Sequence, residues 1–315
     1  MTDTHPAIEV LPRDLMPYRA GNTGIDYVHR FDSGVAGPHV MVNALTHGNE
    51  FCGMVAACHL LDSGVRPQIG TLTVSFANVA AYESFDPADP FASRQITHNL
   101  NRIWSGPWLD GDEDSVELRR ARVMRPAVAA ADHILDIHST SQDVVPFWVY
   151  PHFERNAAVA LALPRPGVHL VMPSGLGSGT PLMQHGRHGQ PQGPGAAMVV
   201  ECGQHFKQAT ADLAVLVAKD FLGHFGLIAH TPAPAKAPRR FELLRTYVIA
   251  TTEFAFTRPV IGFETFAQDE LIATDGDVSI HAPCDDCTIF MPARTAIVGR
   301  EGVYLTRPLD GGTTP

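Results

Sequence analysis

Short apolar runs separated by Gly-, Pro- and Asp-containing turns set the pattern of the first 235 residues. Residues 24–30 and 39–45 are alternating or apolar stretches around the turn-rich Asp32-Ser33-Gly34, which predicts an antiparallel hairpin entering a sheet. Residues 50–62, rich in Ala, Leu, Met and Cys and ending before Gly64, have the pattern of a buried helix. Residues 71–78 form a strand pattern. Residues 80–108 hold Pro, Asp, Ser and Asn with little periodicity and predict a long loop, a kind of segment that is usually functional in a compact domain. Asp114-Ser-Val-Glu117 has the form of a capping box ahead of a helix over 116–131. Strands are predicted at 133–137, 144–150 and 196–200, and helices at 153–163 and 208–228. A Gly-, Pro- and His-rich stretch, 173–195, reads as a second long loop. Strands alternating with helices predict an α/β fold: a mixed, mainly parallel sheet sandwiched by helices.

The pattern changes after a stiff linker at 231–238, Thr-Pro-Ala-Pro-Ala-Lys-Ala-Pro. From 241 to 308 only β-type runs appear, among them residues 245–252, 278–282, 287–292, 295–299 and 303–306. Two domains are expected, a catalytic one over 1–235 and a smaller all-β one over 240–315.

Charge and composition narrow the function. The chain has 315 residues, 33 acidic and 23 basic, for a net charge of −10. An acidic balance argues against a nucleic-acid partner or a polybasic membrane surface. No apolar run reaches the roughly 18 residues of a membrane span, and the first residues lack the basic and apolar regions of a signal peptide. Five cysteines, an odd set, do not suggest a disulfide framework, so a cytoplasmic protein with reduced thiols is expected. The three lysines are Lys207, Lys219 and Lys236, so nearly every cation is a guanidinium, suited to bidentate carboxylate binding.

Chemistry gathers where predicted strands end, the place where open α/β sheets put their ligands. His47-Gly-Asn-Glu50 follows a strand and opens a helix, so His47 and Glu50 can reach one cation; the alternative is a polar turn with a capping carboxylate. His138 in Asp136-Ile-His138 ends another strand and supplies a third donor, or else bonds backbone. Zinc accepts this donor set, with three protein ligands and an open position at catalytic sites. Asp136 is a candidate acceptor for a ligand N–H. Glu201, in Val-Val-Glu201-Cys-Gly203, ends a buried strand, where a carboxylate is costly unless used. It suits the base that a hydrolytic zinc site needs, or it pairs with a loop arginine. Arg94 and Arg102 share the first long loop, where they either face one cleft or lie solvated at the surface.

His47-Gly-Asn-Glu50, Asn99-Leu-Asn-Arg102, Asp136-Ile-His138 and Val200-Glu201-Cys-Gly203, in that order, resemble the succinylglutamate desuccinylase/aspartoacylase family, with its zinc-carboxypeptidase-like fold and a C-terminal β domain. The resemblance implies one zinc per chain on His47, Glu50 and His138, Glu201 as the catalytic carboxylate, and Arg94 supporting the scissile carbonyl. Asn101 and Arg102 match the substrate-binding pair, and Tyr304 matches a C-terminal tyrosine that reaches the site. Within 175–195, His185 and Arg187 are candidate contacts. The expected reaction is zinc-dependent hydrolysis of the amide of a small N-acyl amino acid bearing a carboxylate. A zinc carboxypeptidase acting on a peptide or cell-wall fragment, and a non-catalytic metal-binding homologue, are the alternatives. The acyl group, the amino acid and the oligomeric state, a homo-oligomer included, are left open.

His281, Cys284 and Cys287 stand at intervals of three, but a structural zinc wants four ligands and no second cysteine pair is near. The β-rich tail also resembles lipoyl-type barrels, yet no lysine follows Lys236, which excludes a modified-lysine carrier.

Overall fold

The computed structural model describes residues 6–173 and 178–309. In chain order its elements are β1 (Val28–Asp32), β2 (His39–Ala44), α1 (Phe51–Asp62), β3 (Thr71–Phe76), α2 (Val79–Glu83), α3 (Gly106–Leu109), α4 (Val116–Ala130), β4 (His133–Thr140), β5 (Phe147–Pro151), α5 (Glu154–Ala162), β6 (Val168–Met172), β7 (Ala197–Gln204) and α6 (Gln208–His224). After them come β8 (Arg239–Val248), β9 (Ala255–Phe256), β10 (Thr265–Phe266), β11 (Leu271–Asp275), β12 (Val278–His281), β13 (Cys287–Phe290) and β14 (Glu301–Pro308).

One sheet runs through the molecule in the order β1-β3-β2-β4-β7-β5-β6-β8-β14-β13-β10. Its centre, β3-β2-β4-β7, is parallel, and β5 then runs antiparallel to β7. The fold is thus a mixed α/β sheet. Every residue of β2 and β3 is buried, as expected for parallel strands covered on both faces. Leu135 and Ile137 of β4 point into the apolar layer that holds α1 and α6, while Ile134 points into the layer that holds α4. Helix α1 seats closely on the sheet at Gly53, where a Cβ would lie 3.1 Å from the Ile137 carbonyl oxygen and 3.2 Å from Ala44 Cβ. At the next residue but one before it, Phe51 is fully buried against Tyr82, Phe85 and Phe206. Burying such a ring contributes about 1.5–3 kcal/mol, which anchors the start of α1 and the loop that feeds it.

Several expectations need correcting. β1 and β2 do not form a hairpin: β3 lies between them, antiparallel to β1 and parallel to β2. A wholly buried strand needs a neighbour on each side, and the crossover through α1 supplies β3 to β2. Residues 80–108 are not all loop, since α2 and α3 interrupt them. The cap of α4 is Ser115, which accepts from Leu118 N–H at 3.1 Å. Glu117 does not close a capping box; its carboxylate takes the N–H groups of Ile96, Thr97 and His98 and so holds the loop before Asn99. β6 lies in a stretch for which no strand was expected, and residues 295–299 are not a strand.

Beyond the proline-rich segment, β8 lies parallel to β6 and carries the sheet on into β14, β13 and β10, while β12-β11-β9 make a separate three-stranded sheet. A third apolar cluster, with Tyr247, Ile249, Phe254 and Ile280, fills this end. The five cysteines are free thiols. His281 Nδ1 lies 2.8 Å from the Asp269 carbonyl oxygen, and the cysteines near it join no metal-type cluster among the described residues. Among the described residues no helix is long and apolar enough to cross a membrane.

Candidate metal centre and active site

The parallel strands β2, β4 and β7 end side by side, and their ends carry the expected chemistry. Ala44 of β2 pairs with Ile137 of β4, and His138 of β4 pairs with Glu201 of β7. The chain leaves β2 through Leu45, whose φ of 56° turns it sharply toward His47. Gly48 then passes against the turn that carries Arg94: its N–H donates to the Arg94 carbonyl at 3.1 Å. A Cβ there would meet Ser93 O and Tyr82 N at 2.4 Å, so only glycine fits between His47 and Glu50.

His47, Glu50 and His138 converge. Their candidate ligand atoms lie within 4.8 Å of one another, and all three side chains are buried. His47 Nδ1 is 2.8 Å from Glu50 Oε1, and His138 Nδ1 is 2.9 Å from Glu50 Oε2. The other nitrogen of each ring faces an acceptor. His47 Nε2 meets Asn99 Oδ1 at 2.9 Å, and the Asn101 N–H donates to that same oxygen, which fixes the amide's orientation. His138 Nε2 meets Asp136 Oδ2 at 2.9 Å. Asp136 is two residues before His138 and so shares its face of the strand; its second oxygen accepts from Asn43 and Thr46, both at 2.8 Å. Protons are thereby assigned to the Nε2 atoms, and both Nδ1 atoms are turned toward Glu50.

Electrostatics tests whether these residues suit a cation. Burial, reinforced by the Arg94 cation, pushes His47 down to about 4, so its ring is neutral. A neutral ring protonated on Nε2 presents a bare lone pair at Nδ1 to a carboxylate oxygen 2.8 Å away. Two lone pairs at that distance repel, and a cation between them converts both into ligands. Burial alone would raise Glu50, yet His47 and His138 hold it well below the usual carboxylate range, so it is anionic. Burial opposes charge on His138, but Asp136 and Glu50 outweigh it and raise the ring's affinity for positive charge. Two imidazoles and one carboxylate, each oriented by a hydrogen-bonded neighbour, fit a zinc-type ion.

Glu201 stands next to this cluster on the face of β7 that Val199 shares. Its Oε2 is buried without a hydrogen-bond partner. Burial pushes its carboxyl up to about 8, against the pull of His138 and with the Glu50 carboxylate adding to the rise. Arg94, in a 3₁₀ turn (Ala92–Arg94), reaches Glu50 Oε1 at 3.4 Å and also lines the cavity. The cavity, about 500 Å³, is of the size small-molecule sites have.

Residues 36–206 match the family model for the succinylglutamate desuccinylase/aspartoacylase catalytic domain. The chain belongs to that family. Solved structures agree in fold. A succinylglutamate desuccinylase from Vibrio cholerae has a TM-score of 0.69 at 19% identity, covering 90% of this chain and 86% of its own. A succinylglutamate desuccinylase/aspartoacylase from Rhodobacter sphaeroides gives 0.63 at 19%, with 91% and 90% covered. The ectoine utilization protein EutE (DoeB) from Ruegeria pomeroyi, solved with product bound, gives 0.62 at 16%, with 89% and 88% covered. No curated protein matches the chain by sequence.

In this member of the desuccinylase/aspartoacylase family, Asn101, Arg102 and Tyr304 also line the cavity. Asn101 Oδ1 accepts from Leu182 N–H at 3.0 Å, tying the first long loop to the second. Arg102 already has partners within the protein. Its Nε lies 2.7 Å from Glu301 Oε1 and 3.1 Å from Ser178 Oγ, and its Nη2 donates to the Tyr304 hydroxyl at 3.2 Å. Glu301 and Tyr304 are three apart, which places them on opposite faces of a regular strand. β14 breaks register against β8 between Glu301 and Val303, and this irregularity lets both side chains meet Arg102. His185 and Arg187 do not line the cavity: His185 faces the Trp104 carbonyl, and Arg187 bonds Ala131 O and Asp132. Part of the expected 175–195 loop, residues 175–177, lies outside the described residues.

Three participants escaped the sequence reading. Asn99 orients His47. His205 lines the cavity, bonds Ser139 Oγ at 2.8 Å, and is kept neutral by burial, which pushes it down to about 3. It follows a strand end just as His138 does, and that signal could have found it. Glu301 had no local signal, because its partner is 199 residues away.

Proposed function

We propose that the chain is a zinc-dependent hydrolase that cleaves the amide bond of a small N-acyl amino acid, with one zinc held by His47, Glu50 and His138. When bound, the zinc supplies Lewis acidity to the amide carbonyl and to water. Burial holds the Glu201 carboxyl at about 8, and the charge of a cation on the neighbouring donors would bring it back to the ionised form; ionised, Glu201 takes the proton of the attacking water and returns it to the leaving amine nitrogen. Arg94 donates to the carbonyl oxygen as negative charge develops there. Asn99 and Asp136 hold the two imidazoles in their working tautomers, and the cavity wall keeps bulk water from the reacting atoms.

The observation that carries this reading is Glu201. Its carboxylate is buried beside the three donors, in register with His138, with an oxygen that bonds nothing. Burying such a group is costly, and metal retention alone does not need it. The names of the structural relatives support the substrate class: one is a succinylglutamate desuccinylase and another a desuccinylase/aspartoacylase. The test pairs metal analysis with an assay of the purified protein on a panel of N-acyl amino acids. About one zinc per chain with turnover of at least one panel member is expected. Full zinc occupancy with no turnover across the panel points instead to a metal-binding homologue, and absence of zinc binding overturns the centre itself.

A further inference from the structure

The metal centre leaves one motif of the sequence without a role: Cys284-Asp-Asp-Cys287, in the β-rich end of the molecule. Asp285 and Asp286 make the two-residue turn between the cysteines, with Asp286 at a φ of 53°, and Cys287 opens β13. The ends of such a four-residue turn lie within about 7 Å of each other, Cα to Cα. A disulfide spans roughly 4.4–6.8 Å between Cα atoms. The two sulfurs already interact: the Cys287 S–H favours negative charge on Cys284, and the same contact disfavours it on Cys287.

Their surroundings differ as those of an attacking and a resolving thiol do. Four of the five free thiols are buried, and Cys284 is the half-exposed one, so a reagent in solution meets it first. Burial pushes the Cys284 thiol up, and the Arg307 guanidinium pulls against that rise. Cys287 is fully buried in an apolar cluster with Ile289, Val303 and Leu305, and burial pushes it up to about 12. It stays a thiol until a sulfur beside it becomes electrophilic. Metal binding suits the pair less well. No third donor joins them among the described residues, whereas a structural zinc takes four ligands. A disulfide needs only the two sulfurs.

We propose that Cys284 and Cys287 form a redox-modification site, a reversible intramolecular disulfide made by exchange with a low-molecular-weight disulfide. The Cys284 thiolate attacks one sulfur of the small disulfide, and the departing thiolate takes up the proton that Cys284 lost. Cys287 then gives up its proton and attacks the Cys284 sulfur, breaking the mixed disulfide. The second small thiolate leaves and takes that proton. Two protein thiols are oxidised to one disulfide, and the small disulfide is reduced to two thiols. The new bond staples β13 to the turn before it. β13 pairs with β14 at Phe290 and Tyr304, and Met291, Pro292 and Ala293 beyond it line the cavity. A redox-sensitive link thus stands behind one wall of the cavity, outside the metal centre.

The experiment equilibrates the purified full chain in glutathione buffers of rising disulfide content. Free thiols are then blocked with N-ethylmaleimide under denaturing conditions, and peptides are mapped by mass. Cys284 and Cys287 should escape the label together, in one peptide lighter by two hydrogen atoms. In the most oxidising buffer the disulfide should exceed the dithiol by about tenfold or more. Dithiothreitol should restore both labels, and Cys52, Cys58 and Cys202 should stay reduced throughout. Cys287→Ser should stop at a glutathione adduct on Cys284, and Cys284→Ser should leave Cys287 unmodified. Where Cys287→Ser melts too low to measure, Cys287→Ala takes its place. Full labelling of both cysteines of the wild type in every buffer overturns the proposal. So does a lasting glutathione adduct on wild-type Cys284, since Cys287 then fails to resolve it, and so does a disulfide from either cysteine to any other.

Discussion

The two charged ends of the cavity are built on opposite plans. At one end His47, Glu50, His138 and Glu201 come from the adjoining ends of β2, β4 and β7, and their mutual positions follow from parallel strand pairing. At the other, Arg102 comes from a loop, and Glu301 and Tyr304 come from a strand about 200 residues later that joins the sheet through β8. The first cluster is a set of buried donors turned toward one another. The second is already neutral. The residues proposed for the reaction thus lie at the middle of the sheet, and Glu301 and Tyr304 on a strand near its far edge. The two are separable by mutation.

The sharpest test of that separation is the metal end. His47→Ala and His138→Ala should each lower zinc from about one per chain to background and abolish turnover, measured by elemental analysis and assay on the same samples. Retained zinc in both would break the division at its first premise. Next in size, Glu201→Gln should stay folded and zinc-loaded while kcat falls on the order of 10²–10⁴-fold. Loss of zinc in that variant would place Glu201 among the ligands. Arg94→Ala should lower kcat on the order of 10²–10³-fold with a smaller change in KM, since a contact to a developing oxyanion strengthens in the transition state. A change in KM alone would move Arg94 from the reacting end to the binding end.

The smallest effect belongs to the neutral end and concerns stability. Glu301 has its carboxyl held at about 2, below the ordinary glutamate value of roughly 4.3. A carboxylate depressed in the folded state stabilises fully above the unfolded value, and that contribution fades as pH falls from there through about 2. Melting temperatures of wild type and Glu301→Gln should therefore differ at neutral pH and converge between about pH 4.5 and pH 2. Parallel curves over that window would mean that Arg102 and Glu301 are not coupled.

The same division explains what could be read from the sequence. Local patterns carried the buried helix α1, the central strands and the strand-end motifs, because each depends on neighbours within a few residues. His47 and Glu50 share one turn, and Asp136 and His138 share one strand face. The placement of β3 between β1 and β2 was not legible, since two apolar runs around a turn look alike whether they pair or are separated. Glu117 looked like a capping residue because spacing cannot tell which amides a carboxylate will meet. Arg102 was legible as a cavity residue, but not its condition: nothing within its own loop announces that Glu301 pairs with it.

The break in register of β14 has a consequence of its own. An extended strand sorts its side chains by odd and even position, so a regular strand carrying Tyr304 inward would carry Glu301 outward. Inserting one unpaired residue, Gly302, resets that parity. A Cβ at this glycine would press on Ile249 and Phe254 at 3.0 Å, so the irregularity is locked by packing from below. The side-chain make-up of the cavity wall can thus change without any substitution among the residues that form it. Removing one backbone unit would turn the glutamate to the opposite face and leave Arg102 without its carboxylate partner. The alphabet of residues is then only half of what shapes the cavity wall, and the other half is the reading frame of the strand.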